Sequence, residues 1–583
     1  MGRFNLLEEP WIRVVVDPKG ETEEVSLLEL FDRAPQFLRL GGEMGTQDFA
    51  VLRVLLAVLH TVFSRVDAEG RPYSYLRLDE KFQPSKVEEV DQDEVRESLG
   101  QTWFNLWEQG HFPVAVREYL EAWKDHFYLF DDAYPFYQVT EEVIAPENIS
   151  KSKPSEMKGK NINRLISESN NKVALFSPKY SNDSNKELLT EAELARWLIT
   201  LQGYVGLSDK VIFGTTKYKA SKGWIFDVGG LYWQGGNIFE TLLLNLVLTG
   251  TDNDVALLDM YHNLQRPCWE YSGQEVVHRI LSSHPVDNLS ELYTNWSRAI
   301  HINPDADLTS PFSLQMVKLK EISHSNPLEP MTLWKYGVDE KKNEVMTPRK
   351  HRSEESLWRS FGLLQTSNHP DNHKLDSREP GVIQWRKLVS KSQKNMNLSL
   401  ISVSMKDDAN ATSWVPKDEI LDHLQFQDLL ITDDKDQGWY YRVLDQVEKT
   451  KTVISKTYLY FLTEIATIRN IKDSDYVKNR VQDLYFAVDL PFRNWISSIR
   501  ATDSCDARCL GWNETLRGIV LEEANQVIRS AGPRDYTGVF IKDPKEAGSG
   551  RFKNIATAYL SFQYFLKQSL GAKKGGNDET GGR

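Results

Sequence analysis

Apolar residues alternate through Ile12, Val14 and Val16, a two-residue period that predicts a short strand just after a bend at Pro10. Leu27–Phe31 and Ala50–Phe63 carry helical spacing, and the second is apolar enough to be buried. Val317–Lys320 reads as a strand with Lys318 and Lys320 on one face, and Ile401–Trp414 as strand, tight polar turn, strand. After the polar stretch from Asp433 to Gly438 the texture changes. Long helical patterns follow at 439–470, 474–500, 510–531 and 552–570, the last with Ile555, Tyr559, Phe562 and Leu566 on one stripe and Lys553, Gln563 and Lys567 off it. Helices of this length with short connections predict a bundle. The expected fold class is therefore α+β: a large mixed N-terminal domain over 1–435, a four-helix bundle over 436–572, and a disordered glycine-rich tail over 573–583.

A chain of 583 residues exceeds one ordinary core. Its 16 Trp, 23 Tyr and 25 Phe supply the large side chains that dominate cores and interfaces. Net charge is -13, which argues against a protein that coats nucleic acid over its whole surface but leaves room for a local basic groove. Three cysteines, Cys268, Cys505 and Cys509, build no disulfide framework and fit a reducing cytoplasm. The N-terminus lacks the apolar core of a leader. The most apolar runs, Val54–Leu59 and Leu242–Leu248, fall far short of the roughly 20 residues that span a bilayer, so no membrane association is expected.

Familiar enzyme signatures are missing: no phosphate loop, no H-E-x-x-H and no G-x-S-x-G occur. No catalytic residue and no cofactor are therefore assigned. The best metal candidate is His369-Pro370-Asp371-Asn372-His373, two imidazoles flanking a carboxylate. Pro370 opposes the helix that would align them, so a polar loop is the expected reading and no metal site is assigned.

The opening Phe4-Asn5-Leu6-Leu7-Glu8-Glu9-Pro10-Trp11-Ile12 resembles the start of the CasA-type large subunit of the type I-E CRISPR Cascade complex. The block from Gly235 through Asn237-Ile238-Phe239-Glu240-Thr241-Leu242-Leu243-Leu244-Asn245 is similar to a motif of the same family, and read physically it is a glycine turn, an Asn cap and a buried helix. Arg266-Pro267-Cys268-Trp269 and Asn295-Trp296-Ser297-Arg298 resemble its tryptophan spacings. Asn326–Met331 looks like a family turn with Glu329 where Asp is usual.

The resemblance implies a noncatalytic DNA-recognition subunit. Its partners would be other Cascade subunits, the guide CRISPR RNA, double-stranded target DNA, and a helicase-nuclease recruited after R-loop formation. It also implies site residues. A loop with polar centre and apolar feet, Leu165, Ile166, Leu175 and Phe176, looks like the family loop that docks on the guide's 5′ handle, with Asn170, Asn171, Lys172 and Phe176 carried over. Upstream, Lys151, Lys153, Lys158 and Lys160 form a basic stretch that either meets phosphate or is simply solvated.

The basic loop with Lys217, Lys219, Lys222 and Gly223 looks like the family's glycine loop that lies along the minor groove at the protospacer-adjacent motif, although it departs from a Gly-rich version, offering Gly206, Gly214 and Gly223 with several lysines; the plain alternative is a basic β-hairpin. Lys318 or Lys320 stands where a family lysine reaches the motif. Asp408, Ala409 and Asn410 form the expected hairpin tip, where the resemblance implies a wedge that starts duplex melting, here without the glutamine often found in the family. Arg349-Lys350-His351-Arg352 adds a compact basic cluster or a solvated turn. On the bundle, Arg469, Lys472, Lys478, Arg480, Arg493 and Arg500 are candidates for holding the displaced strand, or are surface charge.

Overall fold

The computed structural model describes residues 2–159, 162, 188–206, 210–250, 260–323, 329–338, 341–364, 379–390, 396–407, 416–433, 435, 437–542 and 550–571. These form two compact units. The first comprises Met1–Ser353, Leu363–Ser392 and Leu398–His423; the second comprises Glu354–Gly362, Gln393–Asn397 and Leu424–Arg583. The division drawn at 435/436 from sequence texture lies beyond the break at 423/424, and it has no counterpart for Glu354–Gly362. That segment joins the second unit through packing of Trp358, whose ring stacks on Phe492 at 4.3 Å and whose Nε1 donates to Asp489 at 2.8 Å.

The first unit mixes helices with small antiparallel sheets. The expected N-terminal strand is Ile12–Val15, between Thr22–Val25 and Arg39–Leu40. The first predicted helix is Leu27–Arg33, started by Ser26. The second is Gly45–Phe63, buried almost all round. Its 19 apolar-rich residues are long enough to cross a bilayer, well beyond the Val54–Leu59 run, but 94% of that window is buried inside the fold, as befits a core helix.

Such burial encloses charged residues, and they are paired. Arg53 meets Glu329 at 2.9 Å, Arg65 meets Glu270 at 2.9 Å, and Arg196 on helix Glu191–Tyr204 meets Glu43 at 2.6 Å. A second sheet places Ser313–Lys318 between Arg298–His301 and Ser155–Lys158. A third places Asn397–Asp407 between Gly230–Gln234 and Pro416–Gln427, so both strands flanking the expected hairpin tip are present.

The second unit is built on four long helical stretches. Trp439–Thr452 runs through a π-helical segment, Val453–Tyr458, into Leu459–Arg469; then come Ser474–Ser497, Cys505–Arg529 and Ile555–Leu570. On the last, Ile555, Phe562 and Leu566 are buried as the period predicts, and Tyr559 donates to Asn525 at 2.8 Å. This helix starts at Ile555 rather than 552. Lys553 belongs instead to a hairpin of Val539–Lys542 with Gly550–Lys553, and Asn554 accepts the Thr557 N–H as the cap.

Candidate nucleic-acid interface

The basic loop of the first unit is laced to the end of strand Ser313–Lys318. Lys318 N–H donates to Val211 O at 3.0 Å, Ser221 N–H to Leu319 O at 3.0 Å, and Glu321 N–H to Lys219 O at 2.8 Å. Tyr218 adds a cross-brace: its hydroxyl donates to Lys318 O at 2.6 Å and accepts the Phe213 N–H at 3.0 Å. Beneath lies Arg298, fully buried, whose guanidinium donates to Ser221 O at 2.7 Å and Gly206 O at 2.6 Å. A guanidinium satisfies several carbonyls at once in a fixed fork, which suits it to hold an irregular loop. Sequence reasoning placed Arg298 only in a tryptophan spacing; its partners come from the loop itself, which no local pattern reveals.

These braces divide the predicted residues into two groups. Gly214, Thr215, Thr216 and Lys217 are exposed and line a cleft of about 900 Å³ together with Tyr218 and Lys320. Lys219 is exposed as well, its Nζ 2.7 Å from Glu321. Gly214 has φ +60, with open space where a side chain would stand.

Lys222, Gly223 and Lys318 turn inward. Lys222 pairs with Asp227 at 2.7 Å. Gly223, at φ +88, precedes helix Trp224–Val228, and a Cβ there would lie 2.3 Å from Gly203 O. Trp224 Nε1 donates to Glu329 at 2.8 Å, so the same carboxylate that pairs Arg53 also fixes the loop's exit. Lys318 is 8% exposed, which corrects the expectation of two lysines on one open face: the strand ends at Lys318, and Lys320 lies in a separate bridge to Ala220. Asn237 caps helix Ile238–Asn245 by accepting the Glu240 N–H at 2.8 Å, so the motif block is structural as read.

Within the cluster Arg349–Arg352, Arg352 is exposed while Lys350 and His351 are held inward. Lys350 Nζ donates to Phe226 O at 2.8 Å and Met405 O at 3.2 Å and lies 3.9 Å from Asp407; burial lowers its pKa from the usual lysine value. It thus ties the end of the basic loop's helix to a strand of the hairpin. His351 is buried, 3.7 Å from Asp422.

Among the bundle candidates, Arg469 is held by Asp535 at 2.9 Å, Arg493 by Asp489 at 2.7 Å, and Arg500 donates to Ser497 O and Ile499 O. Lys472 and Lys478 are exposed and Arg480 partly so. Asn170, Asn171, Lys172 and Phe176, the tip Asp408, Ala409 and Asn410, and His369, Asp371 and His373 lie outside the described residues. Among the described residues no three His, Cys, Asp or Glu side chains gather as a metal site.

A two-unit α+β chain with a braced basic loop over a cleft defines the class. The family model for CRISPR-associated protein Cse1 matches residues 5–522, and the chain belongs to that family. It is 26% identical over 372 residues to CRISPR-associated protein CasA/Cse1 of Thermus thermophilus, a match covering 62% of this chain and 60% of that relative's length. The fold is similar to Cse1 of Thermobifida fusca, with TM-score 0.72 and 22% identity over 98% of both chains. It is also similar to a chain of a CRISPR RNA-guided surveillance complex, with TM-score 0.63 and 12% identity over 97% of this chain and 100% of that one.

Proposed function

We propose that the chain is the noncatalytic large subunit of a type I-E CRISPR Cascade complex in the cytoplasm. In this reading it recognises the protospacer-adjacent motif in duplex DNA, opens the first base pairs for the guide RNA, and helps recruit the helicase-nuclease. The observation that carries the reading is the cleft: an open glycine at Gly214, an exposed Lys217 and the reaching Lys320 line one surface in a Cse1-family chain. A small residue lets backbone approach a narrow groove, and two ammonium groups answer its negative potential. Sequence beyond the motif is left to guide pairing, where exchange of duplex for heteroduplex is nearly balanced and a few protein contacts can decide initiation. The surveillance-complex chain of similar fold supports assembly with other subunits on a guide RNA. Asn170, Asn171, Lys172 and Phe176 would dock the guide's handle, and Asp408, Ala409 and Asn410 would stand beside the first opened pair.

An electrophoretic binding assay of the guide-loaded complex, with and without this chain, on duplexes with and without a functional motif tests the proposal. Motif-dependent binding should vanish when the chain is omitted. Full-affinity binding without it would leave only an assembly scaffold, and metal-dependent cleavage by the isolated chain would replace the noncatalytic reading with a nuclease.

A further inference from the structure

The cleft has a wall that the reading above leaves unused. Helix Gly273–Leu281 opens with a reciprocal cap, Ser272 Oγ accepting the Glu275 N–H at 3.2 Å and Glu275 accepting the Ser272 N–H at 2.7 Å. Val276 and Val277 are buried, which fixes the helix's rotation. Gln274 and His278, one turn apart, are exposed, and both line the cleft with Gly214, Lys217 and Lys320. Lys320 Nζ contacts Ser283 Oγ, just past the end of this helix, so lysine and helix form one continuous surface.

The side-chain chemistry differs from that of the lysines. A carboxamide and an imidazole both donate and accept hydrogen bonds, and base edges likewise carry donors and acceptors, whereas phosphate oxygens only accept. Glu142 and Glu147 line the same cleft, and their carboxylates repel phosphate, leaving Lys217 and Lys320 to take the backbone charge.

Resting on the duplex-recognition reading, we infer that Gln274 and His278 are specificity-determining residues that hydrogen-bond motif base edges from the helix wall of the cleft. Each should set the preference at one motif position, because a side chain on a rigid helix reaches one place along a groove.

The test is binding of the complete guide-loaded complex to a duplex library randomised at the motif, comparing wild type with Gln274→Ala, Gln274→Glu, His278→Ala, His278→Gln and Lys320→Ala. Gln274→Ala and His278→Ala should each flatten the preference at one position by about tenfold while sparing the others. His278→Gln should restore part of its preference, and Gln274→Glu should shift preference toward bases that donate. An unchanged preference profile, or a loss equal on all sequences, overturns the inference. In that case Lys320→Ala separates the two readings: weakened binding across the library leaves duplex recognition standing, whereas wild-type binding by all variants removes both.

Discussion

Lys217 stands exposed on the cleft, whereas Lys222, in the same short basic stretch, is closed against Asp227 at 2.7 Å. Gly214 and Gly223 divide the same way: both have positive φ, but only Gly223 faces a backbone carbonyl where a Cβ would stand. One half of the loop presents charge and the other anchors the presenting half. Charge run and glycine count alone do not separate these roles. What separates them is whether the residue faces the cleft or is packed against the rest of the fold.

The anchoring half should fail by unfolding. Glu329→Ala leaves the buried Arg53 charge unpaired and strips the acceptor from Trp224 Nε1, so a loss of about 3–5 kcal/mol is expected in denaturant unfolding. A loss below about 1 kcal/mol would show that the loop's exit is held by something else. Next in size is the glycine contrast. Gly223→Ala meets both an unfavourable φ and a close carbonyl, and about 3 kcal/mol is expected. Gly214→Ala at φ +60 in open space should lose only about 1 kcal/mol. Equal losses at the two glycines would dissolve the distinction between the halves.

Asp48 is an inward carboxyl stabilised differently. It accepts the Gly42 N–H at 2.8 Å and lines a cavity of about 680 Å³. Burial outweighs that hydrogen bond and, with Glu43 and Glu419 nearby, pushes the carboxyl up to about 7 from its ordinary 3.8. Between those values the folded protein keeps a proton that the unfolded chain has lost. This contribution to stability is therefore full below the unfolded value and is lost as pH rises to about 7. Asp48→Asn keeps an oxygen for Gly42 and removes the titration. It should gain about 1–3 kcal/mol at pH 8 and little at pH 4 in urea unfolding; the same gain at both would exclude a titrating carboxyl.

The parts of the fold that sequence made legible are those whose cause is local. Asn237 caps its helix through Glu240, three residues away, and the stripe Ile555, Phe562 and Leu566 is buried by its own period. Glu329 and Arg53 find each other across 276 positions, and Arg298 finds Ser221 across 77, so neither pairing leaves a local mark. The two-residue period placed Lys318 and Lys320 on one face, but it applies only while the strand lasts, and the strand ends at Lys318. The open residues Gly214 and Lys217 belonged to the stretch that the family resemblance singled out. Gln274 and His278 escaped notice because an isolated amide and imidazole on a short amphipathic helix resemble ordinary surface.

The finest contrast is between those two lysines, and it concerns affinity rather than stability. Lys320 is part-exposed in the cleft and its ammonium contacts the Ser283 hydroxyl, so removing it should leave the unfolding free energy within about 0.5 kcal/mol of wild type. If it meets a phosphate or the edge of the groove, Lys320→Ala weakens duplex binding on every sequence, and the slope of log affinity against log salt becomes shallower by about one. Lys318 sits inside, so Lys318→Ala should lower the melting temperature and leave the affinity and salt slope of the folded fraction unchanged. A salt titration of the guide-loaded complex on one motif-bearing duplex, run beside thermal melts of both variants, measures all four quantities. If Lys318→Ala changes the salt slope and Lys320→Ala does not, the buried lysine must swing out on binding, and the division between anchoring and presenting halves would hold only for the unbound chain.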